Sequence, residues 1–140
     1  MSNNHAELRN ASRWDAHFAL RCGALLGGAA VALGAFGAHG LQSRVNAGTL
    51  DPHLLDVFKT GVQYHFYHAL AIFAAAFGGP TLWGRAAGRR AVISWLVGIC
   101  VFSGSLYLMT FTGQRWLGAI TPIGGVAFIV GWLFAATARR

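Results

Sequence analysis

Short charged stretches punctuate this chain and long uncharged runs separate them. The 22 residues between Arg21 and Arg44 include no Asp, Glu, Lys or Arg. Runs of 25, 24 and 23 residues follow, between Lys59 and Arg85, Arg90 and Arg115, and Arg115 and Arg139. A helix needs about 20 apolar residues to cross the hydrocarbon core of a bilayer. Each run therefore predicts a membrane-spanning helix, at 20–38, 62–79, 91–112 and 117–137. The runs lack the alternating polarity of barrel strands, and four strands could not close a barrel. Helices also satisfy their own backbone polar groups, as lipid requires.

The connections at 80–90 and 113–116 are short, which favours antiparallel neighbours. The expected fold is an all-α integral membrane protein: a four-helix transmembrane up-down bundle spanning 20–140, preceded by a polar cytoplasmic N-terminal segment, 1–19. The 39–61 connection is longer. Within it, Asp51-Pro52 suits a helix cap followed by proline at the first helical position. Leu54, Leu55, Phe58 and Val62 then recur at helical spacing. This predicts a short interfacial helix over 52–60 in the first outer loop, with continuation through Gly61 into the second span as the alternative. The first span is longer than a secretory signal core, so it is expected to be kept.

Composition agrees. Charged residues make up 11% of the 140 and hydrophobic ones 55%, against about 25% charged in an ordinary soluble domain. The net charge of +7 reflects 4 acidic against 11 basic residues. It follows from scarce acids rather than from a basic face, and no nucleic-acid partner is expected. Arg9, Arg13, Arg21, Arg85, Arg89, Arg90, Arg139 and Arg140 fall on one side of the four spans, and Arg44, Lys59 and Arg115 on the other. The positive-inside rule then places both termini in the cytoplasm.

Small residues mark packing faces. Gly23-x-x-x-Gly27 and Gly34 in the first span, and Gly118, Gly124, Gly125 and Gly131 in the fourth, predict close helix approach. This occurs within the bundle or through self-association and contact with other membrane subunits, the bilayer being the other partner. Thr121-Pro122 near the start of the fourth span predicts a kink there. Cys22 and Cys100 lie at different depths and predict no disulfide.

Polar groups inside a membrane are costly and are the first place to look for chemistry. No Asp, Glu or Lys lies deep in a span, which argues against a carboxylate-driven pump and against an enzyme. The histidines remain. His39 ends the first span, and His65 and His68 share one face of the second. These three are the candidate metal ligands, with Gln63, Tyr64, Tyr67, Ser103, Ser105 and Thr121 as a surrounding polar cluster. Three imidazoles would suffice for zinc or copper. A haem or a quinone-like head group is an alternative occupant. The competing reading is structural, with the histidines bonding loop carbonyls and locking the helices together.

Several motifs together resemble one family. They are Gly34-Ala35-Phe36-Gly37-Ala38-His39-Gly40-Leu41, Thr60-Gly61-Val62-Gln63-Tyr64-His65, His68-Ala69-Leu70, Phe102-Ser103-Gly104-Ser105-Leu106-Tyr107 and Leu117-Gly118-Ala119-Ile120-Thr121-Pro122-Ile123-Gly124-Gly125. In this order, from about Leu20 to Leu133, they resemble domain-of-unknown-function family 423, small bacterial inner-membrane proteins to which eukaryotic transmembrane protein 256 is also similar. The resemblance implies a multi-span membrane protein and no established activity or cofactor. It groups His39, Gln63, Tyr64, His65, His68, Ser103, Ser105, Thr121 and Pro122 as family-like positions. The expected function is that of an accessory, assembly or structural membrane component. A histidine-based ligand binder and an oligomeric transporter or channel are the alternatives.

Overall fold

A computed structural model describes residues 2–83 and 85–137, with side chains described for 16–78 and 86–137. Among these residues the chain is all helical. Helix α1 (Ser2–Phe36) passes through a π-helical turn (Gly37–Leu41) into α2 (Gln42–Asn46). The polar segment expected over 1–19 is thus continuous with the first span. Arg139 and Arg140 lie outside the described residues, as do Gly84 and Met1.

The α1–α2 rod stops at Gly48, which takes φ of +70°. Its N–H donates to Val45 O at 2.9 Å, and Thr49 N–H donates to Arg44 O at 2.9 Å. This closure satisfies the last carbonyls and needs a left-handed residue that glycine supplies without strain.

Helix α3 (Pro52–Trp83) starts as expected, with Asp51 Oδ1 accepting from His53 N–H at 2.9 Å. It does not stop at 60. The segment expected to lie on the membrane surface is the first part of one 32-residue helix. Gly61 alone does not break it, and Leu55 and Phe58 are buried with Leu41 rather than laid on an interface. Pro80, expected to open a loop, lies inside α3.

Helix α4 (Arg85–Gly98), a second π-helical turn (Ile99–Ser103) and α5 (Gly104–Thr112) form the next rod. It ends at Gly113, φ +70°, whose N–H donates to Met109 O at 2.9 Å. A 3₁₀ turn (Arg115–Ala119) leads into α6 (Thr121–Ala136). Pro122 falls in the first turn of α6, where its missing N–H has no intrahelical partner to lose. It begins the α-helix there instead of kinking it.

Consecutive rods run antiparallel. Along α1 and α3, Gly23 meets Phe73, Gly34 meets Val62 and Gly37 meets Phe58. Between α3 and α5, Gly61 meets Tyr107, and Thr110 Oγ1 donates to Leu54 O at 3.1 Å. Between α4 and α6, Gly98 meets Phe128 and Gly131 meets Trp95. Helix α3 therefore lies between α1 and the α4–α5 rod, which in turn carries α6.

Among the described residues, polar side chains are buried in a largely apolar interior, and the exterior is apolar as well. His65, His68, Ser103, Ser105 and Thr110 are buried, while Leu25, Phe77, Ile123 and many other large apolar side chains face outward. Such a surface suits hydrocarbon rather than water. Among the described residues, three helical stretches are long and apolar enough to cross a membrane: Ala16–Asn46, Ala86–Thr112 and Arg115–Ala136. Helix α3 is not among them. Gln63, Tyr64, His65, Tyr67 and His68 make its first half more polar than its second.

Candidate functional site

The polar half of α3 is where chemistry could reside. His65 and His68 are three residues apart, which turns their side chains about 60° from each other. That angle sends them to different helices. His65 Nδ1 lies 3.2 Å from Tyr107 Oη on α5. A Cβ at position 61 would sit 2.9 Å from the Tyr107 ring, so Gly61 is what lets α3 approach that ring.

His68 is engaged on both ring nitrogens. Nδ1 lies 2.8 Å from Tyr64 O, and Trp132 Nε1–H donates to Nε2 at 3.1 Å. A carbonyl only accepts, so Nδ1 carries the proton and Nε2 offers its lone pair to the indole. The ring also stacks on Phe128, with centroids 3.5 Å apart and planes 9° apart. A metal could take Nε2 only by displacing the Trp132 bond.

His39 does not join them. It is exposed, on the π-helical turn that ends the first span. Gly37 lies level with Phe58. At a rise of 1.5 Å per residue, His39 is then about 13 Å from the level of His65 along the helix axes. The three-imidazole layer expected from the sequence is not assembled, and no group of three His, Cys, Asp or Glu poised for a metal occurs among the described residues. His17 and His53 are exposed, and the side chain of His5 is outside the described set.

The remaining members of the predicted cluster separate into pairs. Gln63 Nε2 donates to Tyr67 Oη at 2.6 Å on the outer face of α3. Beside them an open apolar groove of about 280 Å³ runs between α1 and α3, lined by Ala30, Gly34, Val62 and Phe66 among others. Tyr64 packs its ring 4.7 Å from that of Phe102. Ser105 Oγ and Thr121 Oγ1 lie 2.8 Å apart and tie α5 to the start of α6. Ser103 is fully buried, and no protein group among the described residues reaches its Oγ or His65 Nε2.

Tyr107, Thr110 and Trp132 also belong to the site and were not singled out from the sequence. Ser103, Tyr107 and Thr110 recur at four and three residues, one helical face, and that spacing was the available signal. Trp132 had none, since it comes from the far end of the chain. Replacing Thr121 with Val should remove the Ser105 partner and lower stability by about 1 kcal/mol, read as a fall in the unfolding midpoint in detergent. Leu133→Ile, on the outer face of α6, should leave that midpoint unchanged.

An apolar exterior, buried polar side chains and three spanning-length helices define a helical membrane protein. The chain belongs to the family described as "Protein of unknown function (DUF423)", whose model matches residues 33–125. It is 50% identical over 111 residues to the UPF0382 membrane protein YwdK of Bacillus subtilis, covering 78% of this chain and 85% of that protein. A UPF0382 membrane protein of Haemophilus influenzae is 41% identical over 113 residues, covering 81% and 86%. One from the yeast Schizosaccharomyces pombe is 37% identical over 114 residues, covering 78% and 90%. No solved structure matches the chain.

Proposed function

We propose that the protein crosses a bacterial inner membrane four times, with both termini in the cytoplasm, and serves there as a non-catalytic accessory, assembly or structural component. The argument for a fourth span is topological. Helix α3 is antiparallel to both α1 and the α4–α5 rod, so those two rods run in the same direction. If both cross the bilayer, the chain between them has to return across it, and α3 is that chain. Its polar residues are tolerable because His65 and His68 turn inward.

The non-catalytic reading rests on His68. Both of its nitrogens bond other parts of the protein and its ring is stacked, so the imidazole serves as a fastener between α3 and α6. An accessory role also needs a contact surface. Gly27 and Gly28 have no atom within 4 Å of where a Cβ would stand, which leaves a smooth strip of α1 for other subunits, for a second copy or for lipid.

Reporter fusions test the topology. Fusions at the N-terminus, near Gly88 and at the C-terminus should report cytoplasm, and one near Ala47 should report the outside. A cytoplasmic signal at Ala47 would remove the four-span reading. Purification in mild detergent, with native mass and metal and haem content per mole, tests the rest. The expectation is sub-stoichiometric metal and haem. A stoichiometric value that vanishes in His65→Ala would replace the accessory role with ligand binding.

A further inference from the structure

We propose that His65 Nε2 and Ser103 Oγ hold one buried water molecule between α3 and the second π-helical turn. Four observations converge on it. Both atoms are polar, shut off from the surface and unreached by any protein group among the described residues. His65 is 5% exposed and Ser103 0%. Leaving two such groups unpaired in one small region is costly, and native proteins rarely do so.

The register brings them together. Gly61 of α3 faces Leu106 and Tyr107 of α5. The helices are antiparallel, so one turn further along α3 stands opposite one turn further back along α5. Those positions are His65 and Ser103. Ser103 also shares its helix face with Tyr107, whose hydroxyl already meets the other nitrogen of His65.

The backbone at this point is irregular. Ser103 closes the π-helical turn Ile99–Ser103, and a π turn widens the helix locally and often marks a functional position. In the same turn, Gly124 of α6 presses against the Phe102 backbone and holds it in place.

The chemistry selects water. The Tyr107 hydroxyl can donate to Nδ1 or accept from it, so Nε2 either bears a proton or offers a lone pair. The serine hydroxyl is similarly ambivalent. Only a partner that both donates and accepts satisfies either arrangement, which a cation or an anion does not. The burial of both atoms leaves no path for a larger molecule. A buried water typically makes two to four such bonds. The result is a hydrogen-bonded chain Tyr107–His65–water–Ser103 inside the bundle, independent of which partner the protein serves.

Solid-state NMR on 15N-histidine-labelled protein in phosphatidylethanolamine–phosphatidylglycerol vesicles tests this, with water protons as the probe. His65 Nε2 should show a cross-peak to a water proton, identified by its loss in His65→Gln. Ser103→Ala should weaken it about fivefold, the worth of one net hydrogen bond. Ser103→Cys, nearly isosteric, should weaken it too and serves if the alanine variant folds poorly. Tyr107→Phe touches only the other nitrogen and should keep the cross-peak. The proposal fails if His65 shows no water cross-peak, if the cross-peak keeps its full intensity in both Ser103 variants, or if Nε2 correlates with the Ser103 hydroxyl proton directly.

Discussion

Gly124→Ala should abolish most of the folded protein. A single Cβ there would overlap the backbone N and Cα of Phe102, and backbone inside a helix cannot swing aside as a side-chain tip can. Gly23→Ala should behave alike, since its Cβ would stand 2.5 Å from Phe73 N and 2.6 Å from Phe73 Cα. Overpacking a close-packed site costs about 1–3 kcal/mol, and rigid backbone puts these two at or above the upper end. Gly27→Ala and Gly28→Ala meet nothing within 4 Å and should change stability by less than about 0.5 kcal/mol. Folded yield in detergent, read as the monodisperse fraction, separates the two classes. Equal yields across all four variants would show that α1 and α6 do not pack as described.

The contrast corrects the glycine pattern read from the sequence. Gly23-x-x-x-Gly27 suggested one contact face, but only its first glycine touches α3. Gly34, grouped with them, has ordinary room: its Cβ would stand 3.6 Å from Val62 Cγ1. Spacing of four residues identifies a face of a helix and leaves open how far along that face the neighbour stays close. The crossing of α1 and α3 decides that.

His68→Ala should be the most damaging histidine substitution. It removes the acceptor for Trp132 Nε1–H, the Nδ1 bond to Tyr64 O and the ring stacked on Phe128. A lost partner for a part-buried donor and the space left by the ring together cost about 2–4 kcal/mol. His39→Ala should cost less than about 0.5 kcal/mol, as expected for an exposed position away from a packed contact. Unfolding midpoints of the two variants in the same detergent make the comparison. A large effect at His39 with none at His68 would reverse the assignment of which histidine fastens the bundle.

Much of the architecture was legible before any coordinates. Uncharged runs long enough for helices, the Asp51-Pro52 cap and the end of the predicted 91–112 helix at Thr112 all follow from local chemistry. Charge is expelled from hydrocarbon, a carboxylate satisfies free N–H groups at a helix start, and Gly113 tolerates the left-handed closure that ends α5. These effects act over a few residues and so leave a mark in the sequence. The continuity of α3 through Gly61 was legible only as an alternative to a break, and its continuity through Pro80 was not legible. Glycine and proline only weaken a helix locally, and near Gly61 the packing of Leu55 and Phe58 against Leu41 outweighs that weakness.

The candidate site divides along the same line. The chain by itself determined that the protein is a helical membrane protein of this family and that several of its candidate polar groups gather on the segment that becomes α3. The tertiary structure alone decided what those groups do. It separated His39 from His65 and His68, gave His68 to Trp132 and His65 to Tyr107, and left His65 Nε2 and Ser103 Oγ buried with no partner among the described residues. Each pairing joins residues from 42 to 64 positions apart, and the choice depends on helix rotation and register. One residue of shift turns a side chain about 100° around its axis. Periodicity narrows that angle to a face, and only the packing of Gly23, Gly61, Gly124 and Gly131 against their neighbours sets it.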